Sequence, residues 1–201
     1  MPDANTAELA QRAQAYIRRV EAGMVALSTG ELARLIEELL SAKAEQRTVF
    51  IFGNGGSSST ASHMASDLSK GVGGFPRVRA ISLTDNVPVL TAWANDVAYD
   101  QVFTEQLRTL ARPRDLAIAI TGSGNSPNVV NGVVAAKELG MFVVGLLGFG
   151  GGKVASLVDL PIVVASNEYG PVEDIHLIIN HLVTTVMRES LAGGSLPQYR
   201  G

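Results

Sequence analysis

The sequence predicts an α/β fold, in which a parallel sheet is covered by helices on both faces and preceded by a helical arm. Three observations lead there. From residue 48 onward, five short runs are apolar on consecutive positions and rich in Val and Ile: 48–52, 78–82, 116–121, 141–147 and 160–165. Strands buried on both faces read this way. Helical patterns separate the runs, near 58–69, 86–96, 99–111 and 127–139, and that alternation implies a parallel sheet. Residues 5–46, by contrast, hold no Pro and show helical spacing throughout.

The arm divides in two. Leu9, Ala13, Ile17, Val20 and Met24 recur at helical spacing, as do Leu32, Leu35, Ile36, Leu39 and Leu40. Between them, Ser28-Thr29-Gly30-Glu31 reads as a break and a new cap. The first helix is amphipathic without a core of its own, so it must pack on the body or on another subunit. A long helix over 171–192 closes the fold and ends at Ala192-Gly193-Gly194. The expected organisation is therefore an arm, 1–46, a body, 47–194, and a tail, 195–201.

Composition narrows the function. Hydrophobic residues make up 46% and charged residues 17%, which excludes a disordered chain. Aromatics at 5% and a net charge of −3 argue against direct nucleic-acid binding. The chain has no Cys, which removes disulfides and thiol chemistry. No apolar run approaches the ~18 residues of a membrane span. The polar start shows no signal peptide, so a cytoplasmic location is expected.

Two strands end in hydroxyl-rich loops that open helices. The first is Phe52-Gly53-Asn54-Gly55-Gly56-Ser57-Ser58-Ser59-Thr60, and the second is Ile120-Thr121-Gly122-Ser123-Gly124-Asn125-Ser126-Pro127. Ligands of open parallel sheets bind outside the carboxyl ends of strands. Gly lets the backbone approach them, and hydroxyls with helix N-terminal amides suit an anion. Ser126 is placed to cap a helix whose first residue is Pro127. Neither loop has the spacing of a Walker A or a dinucleotide fingerprint.

The histidines are His63, His176 and His181. His63 and Asp67 are four apart and share a helix face, which suits a chelated metal, an acid–base pair or a simple ion pair. His176 and His181 subtend about 140° on one helix and cannot face one site. Glu173 lies within about 80° of either, so angle does not choose between them. Asn180 shares the face of Glu173.

The two loops taken together resemble the sugar-isomerase (SIS) domain, and most closely its phosphoheptose isomerase branch. Asn95-Asp96, Gly151-Gly152-Lys153 and Glu173-Asp174-Ile175-His176 followed by Asn180-His181 continue the match in order, over about residues 48–190. The resemblance implies an αβα sandwich with a five-stranded parallel sheet, and a homotetramer with sites at subunit interfaces. It implies isomerisation of sedoheptulose 7-phosphate to D-glycero-D-manno-heptose 7-phosphate. By position, Ser57, Thr121, Ser123 and Ser126 would bind the phosphate, with Gly55, Gly56 and Gly122 in the loops that surround it. Asn54 and Asp96 would contact the sugar. His181 aligns with the family's catalytic histidine and Asp67 with its catalytic glutamate. In metal-containing members the zinc ligands correspond to His63, Asp67, Glu173 and His181.

Four departures stand out. Asp67 is one methylene shorter than Glu. Glu173 replaces a glutamine, and the added charge would favour a divalent cation. Gly122 stands where the family often has a threonine. Gly170 and Pro171 replace polar residues near the sugar. Reach is the difficulty for Glu173, which is about 12 Å from His181 along a regular helix. The competing expectations are a non-catalytic SIS module that senses a phosphosugar, and a protein-binding relative of the DnaA initiator-associating type.

Overall fold

The computed structural model describes residues 4–70 and 77–192. The expected tail and the first three residues lie outside that range. Seven α-helices are seen there: α1 (Ala4–Val25), α2 (Thr29–Ala44), α3 (Gly56–Ser69), α4 (Val87–Asp96), α5 (Val102–Leu110), α6 (Pro127–Glu138) and α7 (Tyr169–Leu191). The strands are β1 (Thr48–Gly53), β2 (Arg79–Ser82), β3 (Leu116–Thr121), β4 (Phe142–Leu147) and β5 (Leu160–Val163). All five pair in parallel, in the order β2-β1-β3-β4-β5. This is the αβα sandwich that the sequence predicts.

Small differences have local causes. The segment expected as one helix from residue 99 opens with a 3₁₀ turn at Tyr99–Gln101 before α5 begins. α7 starts at Tyr169, two residues before the expected Pro171. Proline is tolerated there because a first-turn amide has no intrahelical acceptor. Ser28 caps α2 by accepting from the Glu31 amide at 3.3 Å, as the break at that point anticipates.

Side-chain alternation along β1 sends one set of residues to each face. Val49 and Ile51 enter a core with Leu35 and Leu39 of α2, Met64 and Leu68 of α3, and Ile175 and Ile179 of α7. Phe50 and Phe52 enter the opposite core with Phe103 and Leu107 of α5 and Val129 and Val133 of α6. α2 therefore belongs to the core of the body. α1 lies outside and touches α7, where the Tyr16 hydroxyl donates to Asp174 Oδ2 at 2.5 Å.

The sheet grows from β1 in two directions, to β2 on one side and through β3 to β5 on the other. The chain's switch between them falls between β1 and β3, and ligands of such sheets bind in the crevice at that point. The two hydroxyl-rich loops follow these two neighbouring strands.

Candidate active site

The first loop turns at Gly55, whose φ of 58° and ψ of −124° suit only glycine. The Ser57 side chain follows in the first turn of α3 and is buried. The second loop is tied by its own side chains. Thr121 Oγ1 accepts from the Gly124 amide at 3.2 Å, and Ser123 Oγ accepts from the Asn125 amide at 3.3 Å. Ser126 stands at the N-cap of α6, as expected, but its side chain caps no amide. Among the described residues none of the Ser57, Thr121, Ser123 and Ser126 hydroxyls donates a hydrogen bond, so four O–H groups are uncommitted beside two helix N-termini. Uncommitted donors in that place fit an anion.

Two contacts hold the loops in register. Asn54 Nδ2 donates to Asn128 Oδ1 at 2.8 Å, and Asn128 Nδ2 donates back to Asn54 Oδ1 at 2.8 Å. The Tyr99 hydroxyl adds a third bond to Asn54 Oδ1 at 3.0 Å. Asn54, assigned from the resemblance to the sugar, thus spends most of its amide joining the loops. Asp96 ends α4 three residues before Tyr99, is exposed and accepts from Asn95 Nδ2 at 2.8 Å. The Gly148–Val154 segment braces the second loop. The Val154 amide donates to Gly124 O at 3.1 Å, and the Lys153 amide to Asn125 Oδ1 at 3.2 Å. A Cβ on Gly124 would strike the Gly151 carbonyl. The Gly151-Gly152-Lys153 motif is therefore a packing surface for the cradle.

Gly122, where a threonine is common in the resembling family, also has a local reason. A Cβ there would lie 3.1 Å from the Tyr169 ring, which packs on Phe149 with centroids 4.7 Å apart. Tyr169 takes the room a threonine would need.

Further along α3, three side chains converge. His63 Nε2 lies 3.3 Å from His181 Nε2 and 3.4 Å from Asp67 Oδ2. His181 Nε2 is 3.9 Å from that same oxygen. Two imidazole nitrogens at this distance need a proton or a cation between them, since two bare lone pairs repel. The circle through the three atoms has a radius of about 2.1 Å, close to zinc–nitrogen and zinc–oxygen bond lengths. This donor set of two imidazoles and a carboxylate fits a divalent metal. Glu173 is not in the group. Its carboxylate lies instead against Gly56 at the start of α3, where a Cβ on Gly56 would run into it. The rise of about 12 Å between Glu173 and His181 along α7 keeps the carboxylate and imidazole groups apart.

The structure also separates the histidines. His176 is fully buried, and its Nε2–H donates to Leu147 O at 3.2 Å. Burial pushes its pKa down to about 4, against the raising effect of that bond. His181 points to the opposite side, into the cluster. Sequence patterns assign no role to Tyr99, Asn128 or Asn180. Asn180 Nδ2 donates to Asp67 Oδ2 at 2.9 Å. Its place on the face of Glu173 was the available signal.

The SIS-domain family profile matches residues 13–148. The chain belongs to the SIS-domain family. Among SIS proteins, the phosphoheptose isomerase of Geotalea daltonii is 36% identical over 167 residues, covering 81% of this chain and 85% of that one. The solved phosphoheptose isomerase of Francisella tularensis superposes with a TM-score of 0.85 at 26% identity, over 93% of this chain and all of that one. That of Neisseria gonorrhoeae gives 0.83 at 28% identity, covering 92% and 99%.

Proposed function

We propose that this SIS protein isomerises sedoheptulose 7-phosphate to D-glycero-D-manno-heptose 7-phosphate. The observation behind the reading is the convergence of His181 of α7 with His63 and Asp67 of α3, the helix that opens at the hydroxyl cradle. His63 lies six positions after Ser57, a rise of about 9 Å, comparable to the reach of an extended seven-carbon sugar from its phosphate. Relatives that bear the name phosphoheptose isomerase support the same substrate.

Ser57, Thr121, Ser123 and Ser126 hold the phosphate with O–H and N–H donors. Asp96 and the free amide hydrogen of Asn54 face the sugar. Asp67 and His181 move the proton between C1 and C2 and serve the two oxygens, through an enediol. His63, Asp67 and His181 would hold a divalent ion, with zinc matching the nitrogen and oxygen donors. When bound, the ion supplies charge stabilisation at the C1 and C2 oxygens. Glu173 would join the ligands only by swinging off Gly56.

The same reading takes residues 1–46 as an arm, 47–194 as the catalytic body and 195–201 as a tail. It takes the assembly as a homotetramer with sites completed at interfaces, in the cytoplasm, without direct nucleic-acid or membrane partners. No helix among the described residues is long and apolar enough to cross a membrane. Neither a sensor nor a protein-binding module needs His63, Asp67 and His181 together, which favours the enzyme.

The test is turnover. Purified protein should interconvert the ketose and aldose phosphates. His181→Ala and Asp67→Ala should each lower kcat by at least a hundredfold while leaving phosphosugar binding intact. His176→Ala, on the other side of α7, should retain most of the activity. Tight phosphosugar binding without turnover across heptose, hexose and pentose phosphates would establish a sensor instead.

A further inference from the structure

We infer that Asn180 is the positioning residue that aims Asp67 at the two histidines. This rests on the isomerase reading and extends it. Asn180 lies one residue before His181 on α7 and has no exposed surface. Its Nδ2 donates to Oδ2 of Asp67 at 2.9 Å, and that one oxygen also faces His63 Nε2 and His181 Nε2. A carboxylate only accepts, so the amide nitrogen must face it.

The other half of the amide shows that packing does not ask for Asn here. Asn180 Oδ1 is buried and has no hydrogen-bond partner. A buried carbonyl without a donor is unfavourable. Ile175, Ile179 and Val183 fill inward positions of the same helix with aliphatic groups, while the buried polar residues one turn to either side, His176 and Thr184, are bonded to backbone carbonyls. The buried Thr184 hydroxyl, by contrast, satisfies itself by donating to Asn180 O at 2.9 Å. An aliphatic residue would serve the core at position 180 as well or better. What it could not do is bond Asp67.

Asp67 needs that bond because it is short. Its carboxylate stands one methylene closer to α3 than a glutamate's would, so its reach is short and few rotamers bring Oδ2 into line with both imidazoles. A second side chain bonded to that oxygen selects the orientation in which it faces them. Partners of this kind, one step behind the reacting or ligating groups, typically affect metal affinity or activity tenfold to a hundredfold. Asn180 touches neither substrate nor metal in this scheme and acts only through Asp67.

The experiment compares wild type with Asn180→Leu, Asn180→Ala, Asp67→Glu and the Asn180→Leu/Asp67→Glu pair. Steady-state kinetics on sedoheptulose 7-phosphate, zinc affinity by chelator competition with zinc alone, and Tm are the readouts. Asn180→Leu should lower kcat and zinc affinity by roughly tenfold to a hundredfold, with KM little changed and Tm not lowered. Adding Asp67→Glu should recover at least about tenfold of the lost kcat, because the longer carboxylate reaches both imidazoles without the bond from position 180. If Asn180→Leu does not fold, Asn180→Ala is read in the same way. Retention of wild-type kcat and zinc affinity in these variants overturns the inference. So does a loss that follows Tm and is not relieved by Asp67→Glu. A wild type that binds zinc but turns nothing over sinks the isomerase reading, while the zinc titrations still decide the role of Asn180. A wild type that does neither overturns both.

Discussion

His176 and His181 stand five residues apart on α7 and meet opposite environments. His181 reaches the exposed cluster with His63, whereas His176 has no exposed surface and is neutral because burial disfavours its charged form. That neutrality has a sign for stability. Its pKa falls from 6.5 in a free imidazole to about 4 in the fold. Between those values the unfolded chain binds more protons, so stability drops as pH falls from 6.5 towards 4. The full effect is on the order of 3 kcal/mol. We predict that Tm falls across this window in the wild type and falls less in His176→Leu. Equal losses in the two proteins would place the acid sensitivity elsewhere.

At the scale of elements, α1 and α4 stand apart. α1 meets α7 through Tyr16 and Gly23, where a Cβ would lie 2.6 Å from Ile175 Cδ1. Its other face leaves Leu9 57% and Ile17 56% exposed. α4 reads Val-Pro-Val-Leu-Thr-Ala-Trp-Ala and yet has no buried residue. Apolar faces of this kind are normally covered by protein. The proposed assembly would bury both helices between copies of the chain. Light scattering should give four times the chain mass at micromolar concentration, and a monomer would refute the assembly.

For the whole molecule, the sheet, its layers and the two loops are legible because their signals are local. Consecutive Val and Ile mark the strands, and Ser126-Pro127 marks the start of α6. The pairing of His63 with Asp67 is likewise local, four residues along one helix. What joins distant segments was not legible. The Asn54–Asn128 pair spans 74 residues, and the Asn180–Asp67 bond spans 113. Neither follows from periodicity, because both depend on how helices are laid on the sheet. Glu173 shows the same limit. Its angular position allowed the cluster, but only the fold reveals that its carboxylate rests on Gly56. Tyr169 over Gly122 likewise explains a missing hydroxyl by a residue nearly fifty positions away.

The reciprocal amide pair between the loops also bears on how the protein ages. Asn54 precedes Gly55, and an Asn-Gly step is the sequence most open to spontaneous deamidation, since glycine without a Cβ lets its amide nitrogen close on the side-chain carbonyl. Three hydrogen bonds hold the Asn54 amide away from that ring closure. Were it to become Asp, two oxygens would oppose each other across the loops and a negative charge would enter the cradle proposed for the phosphate. We predict that Asn128→Ala gains about one dalton at Asn54 during warm storage faster than the wild type, measured by peptide mass spectrometry. Equal rates would show that the pair gives no such protection.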